Sequence, residues 1–120
     1  MLRQGPISRF THGVIEYSVG VLLIAAPFLF GFKDGAATAV AIIAGVVALV
    51  IAASTEGASS MIESIPISVH VLLDFAFAGV LLASPFLFAF TDESAPTAFF
   101  IVLGVAHLLV TIGTRFKAPK

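Results

Sequence analysis

The sequence predicts an all-α membrane fold: a four-transmembrane-helix bundle built from two parallel two-helix repeats, related by a pseudo-two-fold axis along the membrane normal. Three observations predict it. The first is composition. The 120 residues are 59% hydrophobic and 11% charged, with 6 Lys+Arg and 7 Asp+Glu. A soluble domain carries about 25% charged residues, so this chain lacks the polar surface to cover a water-soluble globule. A mean hydropathy of +1.13 excludes disorder as well, because disordered segments are poor in apolar residues. The second observation is a set of four long apolar runs. The third is an internal repeat that pairs those runs two by two.

The runs are Val14 to Phe32, broken by Glu16; Ala36 to Ala53; Val69 to Phe90, broken by His70 and Asp74; and Ala95 to Gly113, which contains His107. Each approaches the ~20 apolar residues needed to cross a bilayer. Backbone polar groups in lipid must be satisfied within the segment, so the runs are read as helices. Lys33-Asp34-Gly35 and Thr91-Asp92-Glu93-Ser94 are tight turns, whereas Ser54 to Ser68 is a longer connection. Within it Met61, Ile62 and Ile65 have the spacing of a short interfacial helix, and a plain linker fits equally well. Pro66 suits a helix start. The first run has basic flanks at Arg3 and Arg9 but no small-residue cleavage site after it, so it is read as a retained helix.

Orientation follows from the basic residues. With four spans, both termini and the long connection share one side, which holds Arg3, Arg9, Arg115, Lys117 and Lys120; the short turns hold only Lys33. The expectation is a multi-pass protein of the inner (plasma) membrane with both termini cytoplasmic. Asp34, Asp92 and Glu93 then lie outside as solvated turn residues.

The repeat is explicit in the residues. At an offset of 58, His12 meets His70, Glu16 meets Asp74, and Pro27-Phe28-Leu29-Phe30-Gly31-Phe32 meets Pro85-Phe86-Leu87-Phe88-Ala89-Phe90. After one inserted residue the offset becomes 59, and Thr38-Ala39, Gly45-Val46 and Thr55 meet Thr97-Ala98, Gly104-Val105 and Thr114. The units are drawn as residues 12–56 and 69–115, with a cytoplasmic linker at 57–68, in one membrane domain. Each unit has two spans, so both enter the membrane in the same direction. His12 to Pro27 covers about 22 Å at 1.5 Å per residue, too little to cross. The Phe-rich tail must therefore complete the crossing, as a kinked helix or a short extension, with rings toward several neighbours and lipid.

These residues resemble the SPW-repeat family of bacterial membrane proteins, which have two-span repeats with Ser-Pro-Trp late in the first helix of each. The matching triplets are Ala26-Pro27-Phe28 and Ser84-Pro85-Phe86. Gly20-Val21-Leu22-Leu23 and Gly79-Val80-Leu81-Leu82 fit with a one-residue slip against the prolines. The similarity runs from about His12 to Thr114. Phe replaces Trp in both copies, and Ser is kept only in the second. Phe cannot donate the hydrogen bond of an indole. The resemblance implies the architecture and supplies no activity.

Residues that could carry chemistry are few. His12 with Glu16 and His70 with Asp74 are spaced i, i+4, which puts each pair on one helix face. If the first and third helices meet, these four groups converge. Three readings then apply: local pairing that shields the acids, with help from the helix dipole or from Arg9 and Arg115; a proton or cation site; or a divalent metal with N/O ligands. The sequence favours the first. His107, whose repeat counterpart is Ala48, lies roughly 12 Å inside Arg115 at 1.5 Å per residue. It is expected near Gly79, bonded to a carbonyl or to Thr111. Ala41 and Gly45, and Ala44, Ala48 and Ala52, form small-residue stripes suited to close helix packing within the chain.

No catalytic residue, cofactor contact or metal ligand is assigned from the sequence, and no enzyme is expected. There are no cysteines, no phosphate-binding glycine loop, no nucleophile elbow and no basic cluster. A net charge of −1 argues against nucleic acid. The expected partners are the lipid bilayer, further copies of the chain or a larger membrane complex. The leading expectation is a structural or accessory membrane component. The competing one is a proton- or cation-binding carrier or sensor built on His12, Glu16, His70, Asp74 and His107.

Overall fold

A computed structural model describes residues 6–54 and 66–115. Four helices account for nearly all of it: α1 (Arg9–Leu29), α2 (Gly35–Ser54), α3 (Ile67–Leu87) and α4 (Ser94–Gly113). At 20 or 21 residues each, they are about 30 Å long, and all four are apolar enough to cross a membrane. The expected Met61–Ile65 helix lies outside the described residues.

Local chemistry sets the ends. Ser8 caps α1 by accepting the Thr11 N–H at 3.1 Å, and Asp34 Oδ1 does the same for Ala37 ahead of α2 at 2.9 Å. Pro66 precedes α3 in extended conformation, φ −61° and ψ 150°. It occupies the cap itself rather than the first helical turn.

The proline segments stay helical through Leu29 and Leu87 and then stop in the same way. Phe32 N–H donates to Pro27 O at 2.9 Å, and Phe90 N–H donates to Pro85 O at 3.0 Å. The residues just before them turn left-handed, Gly31 at φ +63° and Ala89 at φ +57°. This six-to-one closure with a left-handed residue is a Schellman stop. The tail therefore completes the crossing as helix followed by a cap. Phe28 and Phe86, at the Trp positions of the motif, face outward at 74% and 68% exposure.

Within each hairpin the two helices pack closely, α1 on α2 and α3 on α4, while the hairpins touch more sparsely. Close approach depends on small residues. A Cβ on Gly45 would stand 2.6 Å from Gly20 O, and one on Gly104 would stand 2.8 Å from the Leu82 side chain. Ala41, Ala44, Ala48 and Ala52 are buried, so the small-residue stripes serve packing inside the chain. Gly79, by contrast, meets nothing within 4 Å. Ala78, buried to 1%, takes the place of Gly20, and Leu81, like Leu23, is 0% exposed. The proline register of 58 thus runs through the whole helix, and the glycine slip is not a structural equivalence.

Polarity is distributed inside out. Leu72, Val102, Ile43 and Leu109 are more than 60% exposed, while His12, Glu16, His70, Asp74 and His107 are buried. A water-soluble fold does the reverse; lipid accepts the apolar exterior. Beyond these polar residues, toward the two short turns, the core is apolar, with Val19, Leu23, Leu81, Phe90 and Phe100. At the opposite end Ile7–Ser8 pairs in parallel with Thr114–Arg115, which sets the two ends of the described bundle side by side.

Candidate cation-binding site

α1 and α3 each carry a His and an acid one turn apart. The bundle brings the four together. His12 Nε2 lies 2.8 Å from Asp74 Oδ2 and 3.3 Å from Glu16 Oε2. His70 Nε2 lies 3.1 Å from Asp74 Oδ2 and 3.1 Å from each Glu16 oxygen. Each imidazole thus touches both carboxylates, one on its own helix and one on the other hairpin. One N or O atom from each residue falls within 4.8 Å of all the others. None of the four residues is more than 4% exposed.

The acids are therefore not at the headgroups. The expected pairing with Arg9 is not among the described contacts of Glu16 and Asp74, whose ion pairs are to histidines, and the Arg115 side chain lies outside the described residues. The physical reason is depth. The second helical turn faces the bundle axis, where imidazoles satisfy the carboxylates more closely than a long cationic chain reaching inward.

His107 joins this cluster from α4. Its Nε2 is 3.6 Å from Asp74 Oδ1, and the Phe77 ring packs edge-on at 5.2 Å between centroids. The expectation of a bond to Thr111 is corrected: the Thr111 hydroxyl donates to the carbonyl of His107, not to its ring. Nor is His107 beside Gly79, since that glycine faces outward. The inward register at Asp74 and Ala78 presents the acid instead.

Thr114 is a member that the sequence reading did not single out. Its Oγ1 donates to Val110 O at 2.6 Å and stands 2.8 Å from His12 Nδ1. With its only proton on Val110, the Thr114 oxygen accepts from His12 Nδ1–H. His12 then presents Nε2 to Asp74, and the 2.8 Å contact between them must hold a proton or a cation. The repeat match of Thr114 to Thr55 was the available signal, but nothing in it pointed to a histidine.

The nearest partners of Glu16 Oε1 and His107 Nε2 are His70 Nε2 at 3.1 Å and Asp74 Oδ1 at 3.6 Å, contacts short of well-aligned hydrogen bonds. Both side chains border a small cavity with Asp74, Ala48, Ile51 and Phe77. The motif residues Pro27, Phe28, Ser84, Pro85 and Phe86 do not contribute. They lie near the other ends of α1 and α3, about 16 Å along the helix from the acids. Ser84 is buried and bonds its own helix at Val80 O, 2.6 Å.

The turn acids are also placed. Asp92 is exposed, as expected, but Asp34 and Glu93 are not merely solvated. Glu93 accepts the backbone N–H groups of Lys33 and Asp34, each at 2.8 Å. It thereby holds the first hairpin's turn, while Asp34 caps α2.

No curated protein and no solved structure matches the chain. The family model for the SPW repeat domain matches residues 10–114, a span that takes in both hairpins, the duplicated His–acid pairs and both proline stops. The chain belongs to the SPW repeat family.

Proposed function

We propose that this small membrane protein binds one divalent transition-metal cation through His12, Glu16, His70 and Asp74, and that the cation staples its two hairpins together. The observation that carries the reading is the ring of four N/O atoms. Its consecutive members, His12 Nε2, Asp74 Oδ2, His70 Nε2 and Glu16 Oε2, are 2.8, 3.1, 3.1 and 3.3 Å apart around the ring. A tetrahedral ion with bonds of ~2.0–2.2 Å places neighbouring ligand atoms about 3.3–3.6 Å apart, so a few tenths of an ångström of outward movement opens the ring to receive one. Two imidazoles with two carboxylates suit Zn²⁺ and similar ions; Ca²⁺ and Mg²⁺ ask for more oxygen ligands. Thr114 gives His12 the outer hydrogen bond that orients metal-binding histidines.

The role is binding, not catalysis or transport. Among the described residues the core between the cluster and the short turns is apolar apart from Ser84, which bonds its own helix, and so lacks the continuous polar path that a carrier would need. A cation that joins α1 to α3 acts as a structural staple or a sensor of metal on the side of the termini. By the basic-residue distribution that side is the cytoplasm.

The test is titration of metal-free protein in detergent with Zn²⁺ or Co²⁺, following bound metal per chain. One equivalent is expected. The double variant Glu16→Gln with Asp74→Asn keeps the shape and removes both charges, and should lose binding. No stoichiometric binding by the native chain, or undiminished binding by the double variant, overturns the reading.

A further inference from the structure

The first and last helices touch sparsely. Between them runs an open groove of about 460 Å³. Ala95, Ala98, Val102 and Ala106, at successive turns of α4, form one wall, and Leu22 and Phe30 of α1 form the other. Small side chains make the room, since three of those four α4 positions carry only a methyl group. Every side chain that lines the groove is apolar. Toward the short turns Phe99 braces it, with its ring 5.7 Å from that of Phe30 between centroids.

The dimensions decide the occupant. Ala95 to Ala106 covers about 16 Å at 1.5 Å per residue. That is about half of the ~30 Å hydrocarbon core, the depth of one leaflet. The volume spread over this length leaves a cross-section of roughly 30 Å², well under half that of a helix about 10–12 Å across. A helix from a second copy would bridge the lips of the groove and leave its floor empty. An empty floor forfeits the dispersion contacts of the atoms that line it. A single hydrocarbon chain makes those contacts along the whole length.

We propose that the groove between α1 and α4 is a lipid site, holding one acyl chain of a phospholipid from the leaflet on the side of the short turns. The headgroup then lies at the level of the turn Thr91-Asp92-Glu93-Ser94, which precedes the groove in sequence. The acyl chain fills the seam that the protein leaves open and ties α1 to α4. The cation of the preceding section ties α1 to α3, so the two sites are independent and fail separately.

The experiment reconstitutes the native chain with phosphatidylethanolamine, extracts it in mild detergent and weighs it by native mass spectrometry. One retained phospholipid per chain is expected. Ala98→Leu with Ala106→Leu fills the groove from α4 and should lower the retained fraction at least tenfold. Ala76→Leu, on an exposed position of α3 outside the groove, should leave it unchanged. A second measurement needs no variant. Phosphatidylethanolamine with a diazirine in its acyl chain is photolysed with the native protein. Val102 should be labelled far more than Leu72, although the two are equally exposed, at 68% and 69%. Equal labelling of Val102 and Leu72 means general contact with the bilayer and overturns the site. No retained lipid on the native chain, or undiminished retention by the double variant, overturns it as well. So does a native dimer without lipid that the double variant dissociates, which would put a second copy in the groove.

Discussion

His12 Nε2 lies 2.8 Å from Asp74 Oδ2, and this contact ties the first hairpin to the second where the bundle's ends meet. Elsewhere the hairpins touch sparsely, so the junction depends on a few polar contacts. Removing one partner of a buried pair leaves an uncompensated charge and costs about 3–5 kcal/mol. Asp74→Asn retains an acceptor and should cost roughly the lower figure. Zn²⁺ at a hundredfold over its Kd should raise the native chain's stability by about 2.7 kcal/mol by mass action. Thermal unfolding in detergent, with chelator and with Zn²⁺, measures both. Asp74→Asn should unfold earlier and gain nothing from the metal.

The two glycines at the centre of the first hairpin should be intolerant. A Cβ at Gly45 meets the backbone oxygen of Gly20 at 2.6 Å, and backbone cannot step aside as a side chain can. Gly45→Ala should destabilise by about 1–3 kcal/mol, the usual range for overpacking. Gly79 faces open space, so Gly79→Ala should instead gain roughly 0.5–1 kcal/mol of helix stability. Opposite signs in denaturant unfolding are expected. Equal losses would mean that Gly79 also sits in a helix contact.

Ala89 occupies the left-handed position at which the first repeat uses Gly31. A left-handed L-residue costs about 1–2 kcal/mol. Ala89→Gly should therefore stabilise the second hairpin by about 1 kcal/mol. Gly31→Ala should destabilise the first by a similar amount through the backbone alone, because no atom stands within 4 Å of its Cβ position. The pair is read from unfolding midpoints of the two single variants.

Glu93 reaches across to the first hairpin and accepts two N–H groups, from Lys33 and Asp34. Hydrogen bonds to a charged group contribute about 1.5–3 kcal/mol each when well shielded. Glu93 is half-buried at a bundle end, so Glu93→Ala should cost about 1–2 kcal/mol in all. Hydrogen exchange at the amides of Lys33 and Asp34 should rise, with the amides of α3 unchanged.

The helices were legible because lipid demands apolar runs of a fixed length and the chain has four. The repeat was legible because Pro27 and Pro85 anchor it. Their common stop at Gly31 and Ala89 was not, since alanine gives no hint of a left-handed backbone. Convergence of His12, Glu16, His70 and Asp74 depends on α1 meeting α3, a contact between hairpins that helix spacing alone does not specify. His107 meets Asp74 rather than the Gly79 region, because antiparallel pairing predicts its depth but not which face of α3 it meets. The contacts of Thr114 and Glu93 are not legible in sequence because their partners, His12 and the Lys33–Asp34 backbone, are 102 and about 60 residues away.

The side on which the proposed cation site opens is set by where the termini lie. Five of the six basic residues sit with the termini and the long connection, and Lys and Arg are retained on the cytoplasmic side. The chain contains no cysteine, so a single introduced thiol reports without background. Asp92→Cys, in an exposed turn, should react with a membrane-impermeant maleimide in intact cells. Gln4→Cys, near the N-terminus, should react only after permeabilisation. Reaction of Gln4→Cys in intact cells, with Asp92→Cys protected, would reverse the topology and place the cation site at the outer surface, where it would sense metal outside the cell.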